Sequence, residues 1–78
     1  MKEITVLTFG AVTDAIGKSN FVVADVQSTG ELIQKLEMDY PGLKNLNYAV
    51  AVNKQLVSSS TVLEANATIA LLPPFSGG

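Results

Sequence analysis

The sequence has 78 residues, five lysines, no arginine and a formal net charge of −2, so it fits one domain without the basic surface that nucleic-acid binding needs. It contains no cysteine and no histidine, which excludes disulfides, Ser-His-Asp or Cys-His nucleophile systems and His- or Cys-based zinc sites. No apolar run reaches the roughly 20 residues of a membrane span, and Glu3 and Thr5 interrupt any signal-peptide-like run. We therefore expect a cytoplasmic protein that binds no metal and is not catalytic alone.

The first part of the chain predicts two strands. Residues 4–9 and 20–26 are rich in β-branched and aromatic residues, and residues 10–19 form a connection with a turn signal at Gly17-Lys18-Ser19. This short connection favours antiparallel pairing of the two strands. Apolar residues on both faces of the first strand indicate a central strand that is covered, at least in part, on both sides.

A helix follows, and its start carries a recognisable signal. Ser28 lies three residues before Glu31, which is the spacing of a capping box, with Thr29 as the alternative cap. Pro41 disfavours a helical conformation at Tyr40, so the helix should end at or just before that residue. The apolar residues at helical spacing are predicted to face the core: Leu32, Ile33, Leu36 and Tyr40.

The second half of the chain predicts three more strands separated by polar segments. Asn53-Lys54 is expected to form a tight turn because asparagine tolerates positive φ. Val62 and Leu63 are expected to close one edge of the core, and the alanines of the third strand should let another element approach closely. The predicted segments are a loop at 42–47, strands at 48–52, 55–57 and 68–72, and a solvated polar turn at 58–61.

This order predicts an α+β domain over residues 1–72, with a sheet of four to five strands and one main helix on one face. If the last strand lies beside the first, the sheet is mixed and the helix lies in a crossover. Pro73 and Pro74 lack an N–H and should end the last strand, leaving residues 73–78 as an extended tail. Gly77 and Gly78 carry no side chain, so they could enter a narrow channel; the alternative is a frayed chain end.

These features together resemble the ubiquitin-like sulfur carriers, and among them the small subunits of molybdopterin synthase. The specific part is the Pro-Pro-x-Ser-Gly-Gly ending, whereas a bare Gly-Gly also fits ubiquitin and the carrier of the thiamine thiazole pathway. Two segments depart from the family pattern: Thr13 stands where an arginine is usual, and residues 64–67 replace an acidic Gly-Asp-Glu turn. The matching segments are Phe9-Gly10 with Gly17, Tyr40-Pro41, Ala51-Val52-Asn53 and residues 71–78.

The resemblance implies a ubiquitin-like β-grasp fold and a defined chemistry at Gly78. An ATP-dependent adenylating enzyme of the ubiquitin-activating type would adenylate the Gly78 carboxylate, and sulfur would then displace AMP to give a thiocarboxylate. This chain itself would bind no cofactor. The tail would enter the large subunit of molybdopterin synthase, in a heterotetramer of two small and two large subunits, and donate sulfur to a pterin precursor. The chain would thus be the sulfur-donating subunit of a sulfurtransferase.

The resemblance also implies roles for individual residues. Gly77 would give the tail access to the partner, and Phe75 would anchor the tail there or fold back on its own domain. Pro73 and Pro74 are also expected to contact the partner. The residues that match the family's apolar docking patch, each of which could instead be ordinary core, are Phe9, Leu56 and Leu72. Two alternatives remain: a carrier for thiazole synthesis, and a ubiquitin-like binding module whose tail is inert.

Overall fold

The computed structural model describes residues 2–73, and its strands follow the predicted order. The strands are β1 (Glu3–Thr8), β2 (Asn20–Ala24), β3 (Ala49–Val52), β4 (Gln55–Val57) and β5 (Thr68–Leu72). The helices are α1 (Ala11–Ile16), α2 (Thr29–Asp39) and a 3-10 helix (Pro41–Asn45).

The five strands form one mixed sheet in the order β2-β1-β5-β3-β4. β1 pairs antiparallel with β2 and parallel with β5, while β3 pairs antiparallel with both β5 and β4. The predicted antiparallel first pair, the mixed sheet and the α+β class are therefore confirmed. The last strand lies beside the first at the centre of the sheet, so the C-terminal end of β5 is next to the C-terminal end of β1.

The hydrophobic core lies between one face of the sheet and α2. Successive side chains of a strand point to opposite faces, and every second residue of the two central strands is buried. Ile4 and Val6 of β1 and Ile69 and Leu71 of β5 are fully buried, with Thr8 completing this face of β1. Helix α2 covers them with Leu32 and Leu36, both from the predicted stripe, while Ile33 and Tyr40 pack at the margin of the core.

The predicted capping box forms in part at the start of α2: Ser28 caps the helix, but Glu31 reaches the Gln27 amide instead of the Ser28 amide. The Glu31 amide donates to Ser28 Oγ at 3.2 Å, and the Gln27 amide donates to a Glu31 carboxylate oxygen at 2.7 Å. The alternative cap is wrong: Thr29 is the first helical residue, and its Oγ1 accepts from the Thr61 amide at 2.9 Å. The helix ends at Asp39, as the proline at position 41 predicts.

Two predicted loops contain short helices. Residues 10–19 include α1, which buries Val12 and Ile16, and residues 41–45 form the 3-10 helix, which buries Leu43. A helix of one or two turns contains too few repeats of the apolar pattern to stand out from a loop in the sequence. Both helices place apolar side chains in the core, so tertiary packing stabilises segments with little helical signal of their own.

The segment before β5 also differs in part from the prediction. Leu63 is fully buried as expected, but Val62 is 76% exposed and does not close the core. Val62 forms a bridge with Ser28, and in such extended pairing neighbouring side chains point in opposite directions. The polar turn at 58–61 is largely exposed, as predicted, yet Ser60 Oγ also accepts from the Gly30 amide at 3.2 Å. Within residues 2–73, no helix has the length and apolarity needed to cross a membrane.

Candidate functional site

The face of the sheet opposite α2 is apolar along its centre and has no helix over it among the described residues. Its central row follows from the strand register: Leu56 lies opposite Ala51, Ala51 opposite Ala70, and Ala70 beside Leu7. Two alanines at the middle of this row leave a shallow trough between the leucines. Both alanines of β3, Ala49 and Ala51, lie on this face by strand alternation. We call it the open face.

The predicted docking residues all belong to the open face. Leu56 is 63% exposed and Phe9, which follows β1 two positions after Leu7, is 45% exposed. Leu72 is half-buried, lies opposite Ala49 and is not part of the hydrophobic core. The alternative that these residues are ordinary core is therefore wrong. β1 is internal to the sheet, as predicted; among residues 2–73 a helix covers only its α2 side, and Thr5 and Leu7 on the open face are half-buried.

A depression of about 270 Å³ lies on the open face beside the β3–β4 turn. Its walls include Leu7 and Ala70, and Lys54 of the turn stands at its edge. The turn is fixed to β5 because Asn53 exchanges two hydrogen bonds with Thr68: the Asn53 amide donates to the Thr68 carbonyl at 2.8 Å, and the Thr68 amide donates to Asn53 Oδ1 at 2.9 Å.

Lys54 has φ 73°, and Asn53 has φ 48°, which confirms the predicted positive-φ turn. Lysine is an unusual residue at such a backbone angle, where glycine is favoured. The turn thus places a cation next to apolar surface. Of the strand residues that share the open face by alternation, Glu3 is the only one with a charged side chain.

The chain leaves the sheet at Pro73, which lies over Gly10. Gly10 has φ 56° and ψ −132°, and the Val12 amide donates to the Phe9 carbonyl at 3.1 Å to close the turn between β1 and α1. A Cβ built on Gly10 would lie 3.3 Å from Pro73 Cγ. The root of the predicted tail is therefore next to Phe9 and the open face. The predicted site residues Pro74, Phe75, Gly77 and Gly78 lie outside the described residues.

Thr13 has a supporting role in α1. The hydroxyl oxygens of Thr13 and Thr8 are 2.9 Å apart, and Thr8 Oγ1 donates to the Lys18 carbonyl at 2.6 Å. Because Thr8 uses its single proton on that carbonyl, Thr13 donates to Thr8. This pair satisfies a buried hydroxyl and ties α1 to the end of β1, directly behind the Gly10 turn.

A second depression, of about 440 Å³, lies on the helix side between α2 and the β3–β4 hairpin. The helix amides beside it are already paired: Gly30 donates to Ser60, and Glu31 donates to Ser28. The wall also includes Tyr48, whose hydroxyl donates to Glu37 at 2.9 Å. Burial, followed by this hydrogen bond and the Glu37 charge, raises the pKa of Tyr48 well above its usual range. These groups hold the fold together and offer no free donors at the helix start.

Sequence reasoning missed Leu7 and Val22 of the open face and Lys54 beside it. Leu7 lies in the predicted first strand, and its position two residues before Phe9 is a usable signal that both share one face. Lys54 was identified only as a turn residue, because nothing in the sequence shows which surface the turn adjoins. The contact between Gly10 and Pro73 also carries no sequence signal, since it depends on how β1 and β5 pair.

Comparisons with known proteins agree with this geometry. The model of the ThiS family matches residues 6–78. The molybdopterin synthase sulfur carrier subunit of Mycobacterium tuberculosis is 32% identical over 83 aligned residues, which cover 100% of both chains.

Solved structures show the same fold. The small archaeal modifier protein 1 of Methanosarcina acetivorans superposes with a TM-score of 0.84 at 21% identity, covering 100% of this chain and 98% of its own. A chain from the protein–protein complex of subunits 1 and 2 of the molybdopterin-converting factor of Helicobacter pylori has a TM-score of 0.73 at 30% identity, covering 97% of this chain and 99% of its own.

The mixed sheet, the single main helix across it and these likenesses define a ubiquitin-like β-grasp protein. The chain belongs to the ThiS family of ubiquitin-like sulfur carriers, and the resemblance drawn from the sequence is confirmed.

Proposed function

We propose that this protein is the sulfur carrier of a molybdopterin synthase, with the carboxylate of Gly78 as the group that carries sulfur. The observation that supports this most strongly is the full-length match to a curated molybdopterin synthase sulfur carrier subunit, at 32% identity. The division into a domain of residues 1–72 and a functional tail of residues 73–78 is part of the proposal. It is consistent with β5 ending at Leu72, directly before the two prolines.

The chemistry of the tail follows from the reactivity of a carboxylate. A carboxylate is a poor electrophile, so its oxygen first attacks the α-phosphate of ATP on an adenylating enzyme, forming an acyl adenylate and releasing pyrophosphate. Sulfur at the oxidation level of sulfide then attacks the acyl carbon. The bond between that carbon and the phosphate oxygen breaks, and AMP leaves. The thiocarboxylate that remains is a sulfur nucleophile. It can attack the precursor that a larger synthase subunit holds.

The absence of His, Cys and Arg from the sequence is consistent with this division of labour. General acid–base catalysis most often uses histidine, and phosphate or carboxylate recognition most often uses arginine. In the proposal the adenylating enzyme and the large subunit supply these groups. Gly77 and Gly78 supply a chain end narrow enough to reach them.

The open face is the proposed docking surface for the large subunit. Leu56 and Phe9 leave large apolar side chains in water, and contiguous exposed apolar surface commonly marks a protein–protein interface. Pro73 lies beside this surface, so docking would bring the tail towards the partner's active site. The Helicobacter pylori relative is known as a complex of subunits 1 and 2, which supports a large-subunit partner here. The stoichiometry of two small and two large subunits is part of the same proposal.

The tail is tested by substituting Gly78→Ala or by adding one residue after Gly78. We expect either change to reduce sulfur transfer at least about 100-fold, because a misplaced reacting atom loses the benefit of positioning. Thiocarboxylate formation is measured by intact-mass spectrometry, as a gain equal to the mass difference between sulfur and oxygen. Gly42→Ala is the matched control, because an added Cβ there meets no atom within 4 Å.

Three outcomes separate the proposal from its alternatives. Full activity in a chain extended beyond Gly78 would contradict it. Restoration of thiamine synthesis, without restoration of molybdoenzyme activity, would assign the chain to thiazole formation. If deletion of Gly77 and Gly78 leaves partner affinity and cellular function unchanged, the chain is a binding module with an inert tail.

A further inference from the structure

Gly10 occupies a backbone conformation that strongly favours glycine. Its φ of 56° and ψ of −132° correspond to the first central position of a type II′ turn, which starts at Phe9 and is closed by the Val12 amide. Side-chain-bearing L-residues avoid this region because Cβ meets the backbone. The glycine is therefore needed for the turn even before its neighbours are considered.

Gly10 also leaves the space that Pro73 fills. The Cβ of an alanine at position 10 would lie 3.3 Å from Pro73 Cγ and 3.6 Å from Pro73 Cβ. The shorter distance is tighter than most Cβ contacts, so the Pro73 ring would have to move by a few tenths of an ångström. Pro73 is the last described residue, and a proline ring fixes its own φ while offering no amide for strand pairing. The Pro73 ring therefore packs on Gly10 directly after the chain leaves β5.

The turn that receives Pro73 is itself anchored. Thr13 donates to the buried Thr8 hydroxyl, which donates to the Lys18 carbonyl at 2.6 Å, so the end of β1, the start of α1 and the following loop are tied together. The Thr13 and Asp14 amides also donate to the Gly10 carbonyl, at 3.0 and 3.4 Å. Pro73 therefore packs against a part of the domain that hydrogen bonds hold in one arrangement.

We propose that the contact between Gly10 and Pro73 sets the direction in which the chain leaves the domain, and that Gly10 is thereby a positioning residue for every reaction at the end of the tail. The inference rests on the proposed sulfur-carrier function. Its physical basis is that a chain whose root is already oriented loses fewer conformations when its end enters a partner's channel. Because Gly10 follows Phe9, the direction is set next to the docking surface.

The test is a double-mutant cycle on the full chain with Gly10→Ala and Pro73→Ala. The readout is kcat and KM for thiocarboxylate formation by the adenylating enzyme and its sulfur source. We expect each single variant to lower kcat/KM about five-fold, mainly through kcat, and the double variant to be no worse than either single variant. If Pro73→Ala acted only by removing contacts with the partner, the same loss would also occur in the Gly10→Ala background. The two reductions in kcat/KM would then multiply in the double variant.

Gly17→Ala is the control for backbone strain. Gly17 also has positive φ, 85°, but an added Cβ meets no atom within 4 Å. We expect this variant to lose stability through strain and to keep kcat/KM within about two-fold of the wild type. A loss of kcat/KM at Gly17→Ala equal to that at Gly10→Ala would overturn the inference, since strain alone would then account for both.

The outcomes for the inference and for the proposed function are distinct. Failure of the wild-type chain to form a thiocarboxylate would contradict the proposed function. A wild-type chain that forms it, together with multiplying effects at positions 10 and 73, would contradict only the inference. If Gly10→Ala does not fold, Pro73→Ala decides alone: wild-type kcat in that variant overturns the inference, and an approximately five-fold lower kcat at unchanged KM supports it.

Discussion

The two faces of the sheet use neighbouring residues of the same strands in different ways. On the helix side, Ile69 and Leu71 are fully buried and stabilise the domain; on the open face, Ala70 and Leu72 of the same strand are only half-buried. The helix side is filled with large aliphatic side chains, whereas the open face has alanines at its centre and large apolar side chains around them. An apolar surface left in water contributes little to folding and becomes favourable when a partner covers it. The difference supports the proposal that the helix side stabilises the domain and the open face binds the partner.

Ile69→Ala is expected to have the largest effect, because it removes buried apolar volume from the helix side of the sheet. We expect a loss of about 2–5 kcal/mol in the free energy of unfolding, because the substitution leaves a cavity in a fully packed core. That is a large part of the roughly 5–15 kcal/mol available to a small domain. Urea denaturation followed by circular dichroism measures it. Thr68→Ala, one residue earlier on the open face, is the control and should cost less than about 1 kcal/mol; similar losses in both variants would contradict the assignment.

Leu56→Ser instead removes an exposed apolar side chain from the open face. We expect the affinity for the large subunit to fall about ten-fold or more, which corresponds to about 1.4 kcal/mol, while the free energy of unfolding changes by less than about 0.5 kcal/mol. Isothermal titration calorimetry measures the affinity. Met38→Ser is the matched control, because Met38 is 74% exposed on α2, across the sheet from the open face. Equal losses of affinity in the two variants would show that the open face is not the docking surface.

Lys54→Gly has the smallest expected effect and tests the turn beside the open face. Glycine is favoured at this positive-φ position of a two-residue hairpin, so we expect a gain of about 0.5–1 kcal/mol in the free energy of unfolding. The midpoint of chemical denaturation reports it. Asn53→Gly should give no such gain, because it removes the oxygen that accepts from the Thr68 amide. A loss of stability in Lys54→Gly would mean that the lysine side chain contributes packing that outweighs its backbone strain.

Local signals in the sequence were sufficient for most of the elements. Helix α2 starts after Ser28 because that side chain accepts from the Glu31 amide, and it ends at Asp39 because Pro41 disfavours a helical conformation at Tyr40. The Asn53-Lys54 turn and the last two strands also follow from residues close together in the chain. The motif of residues 73–78 likewise identified the family without any tertiary information.

Contacts between distant parts of the chain were decided by the tertiary structure. The parallel pairing of β1 with β5 brings Phe9 and Leu72 to one face, and the register of β3 with β4 adds Leu56. The same pairing places Pro73 over Gly10. Strand alternation fixes which residues share a face within one strand, but it does not say which strands are neighbours. For that reason the sequence by itself determined the five strands, the main helix and the family motif at its end. Only the packing of the sheet determined the two short helices, the open face and the position of Pro73 over Gly10.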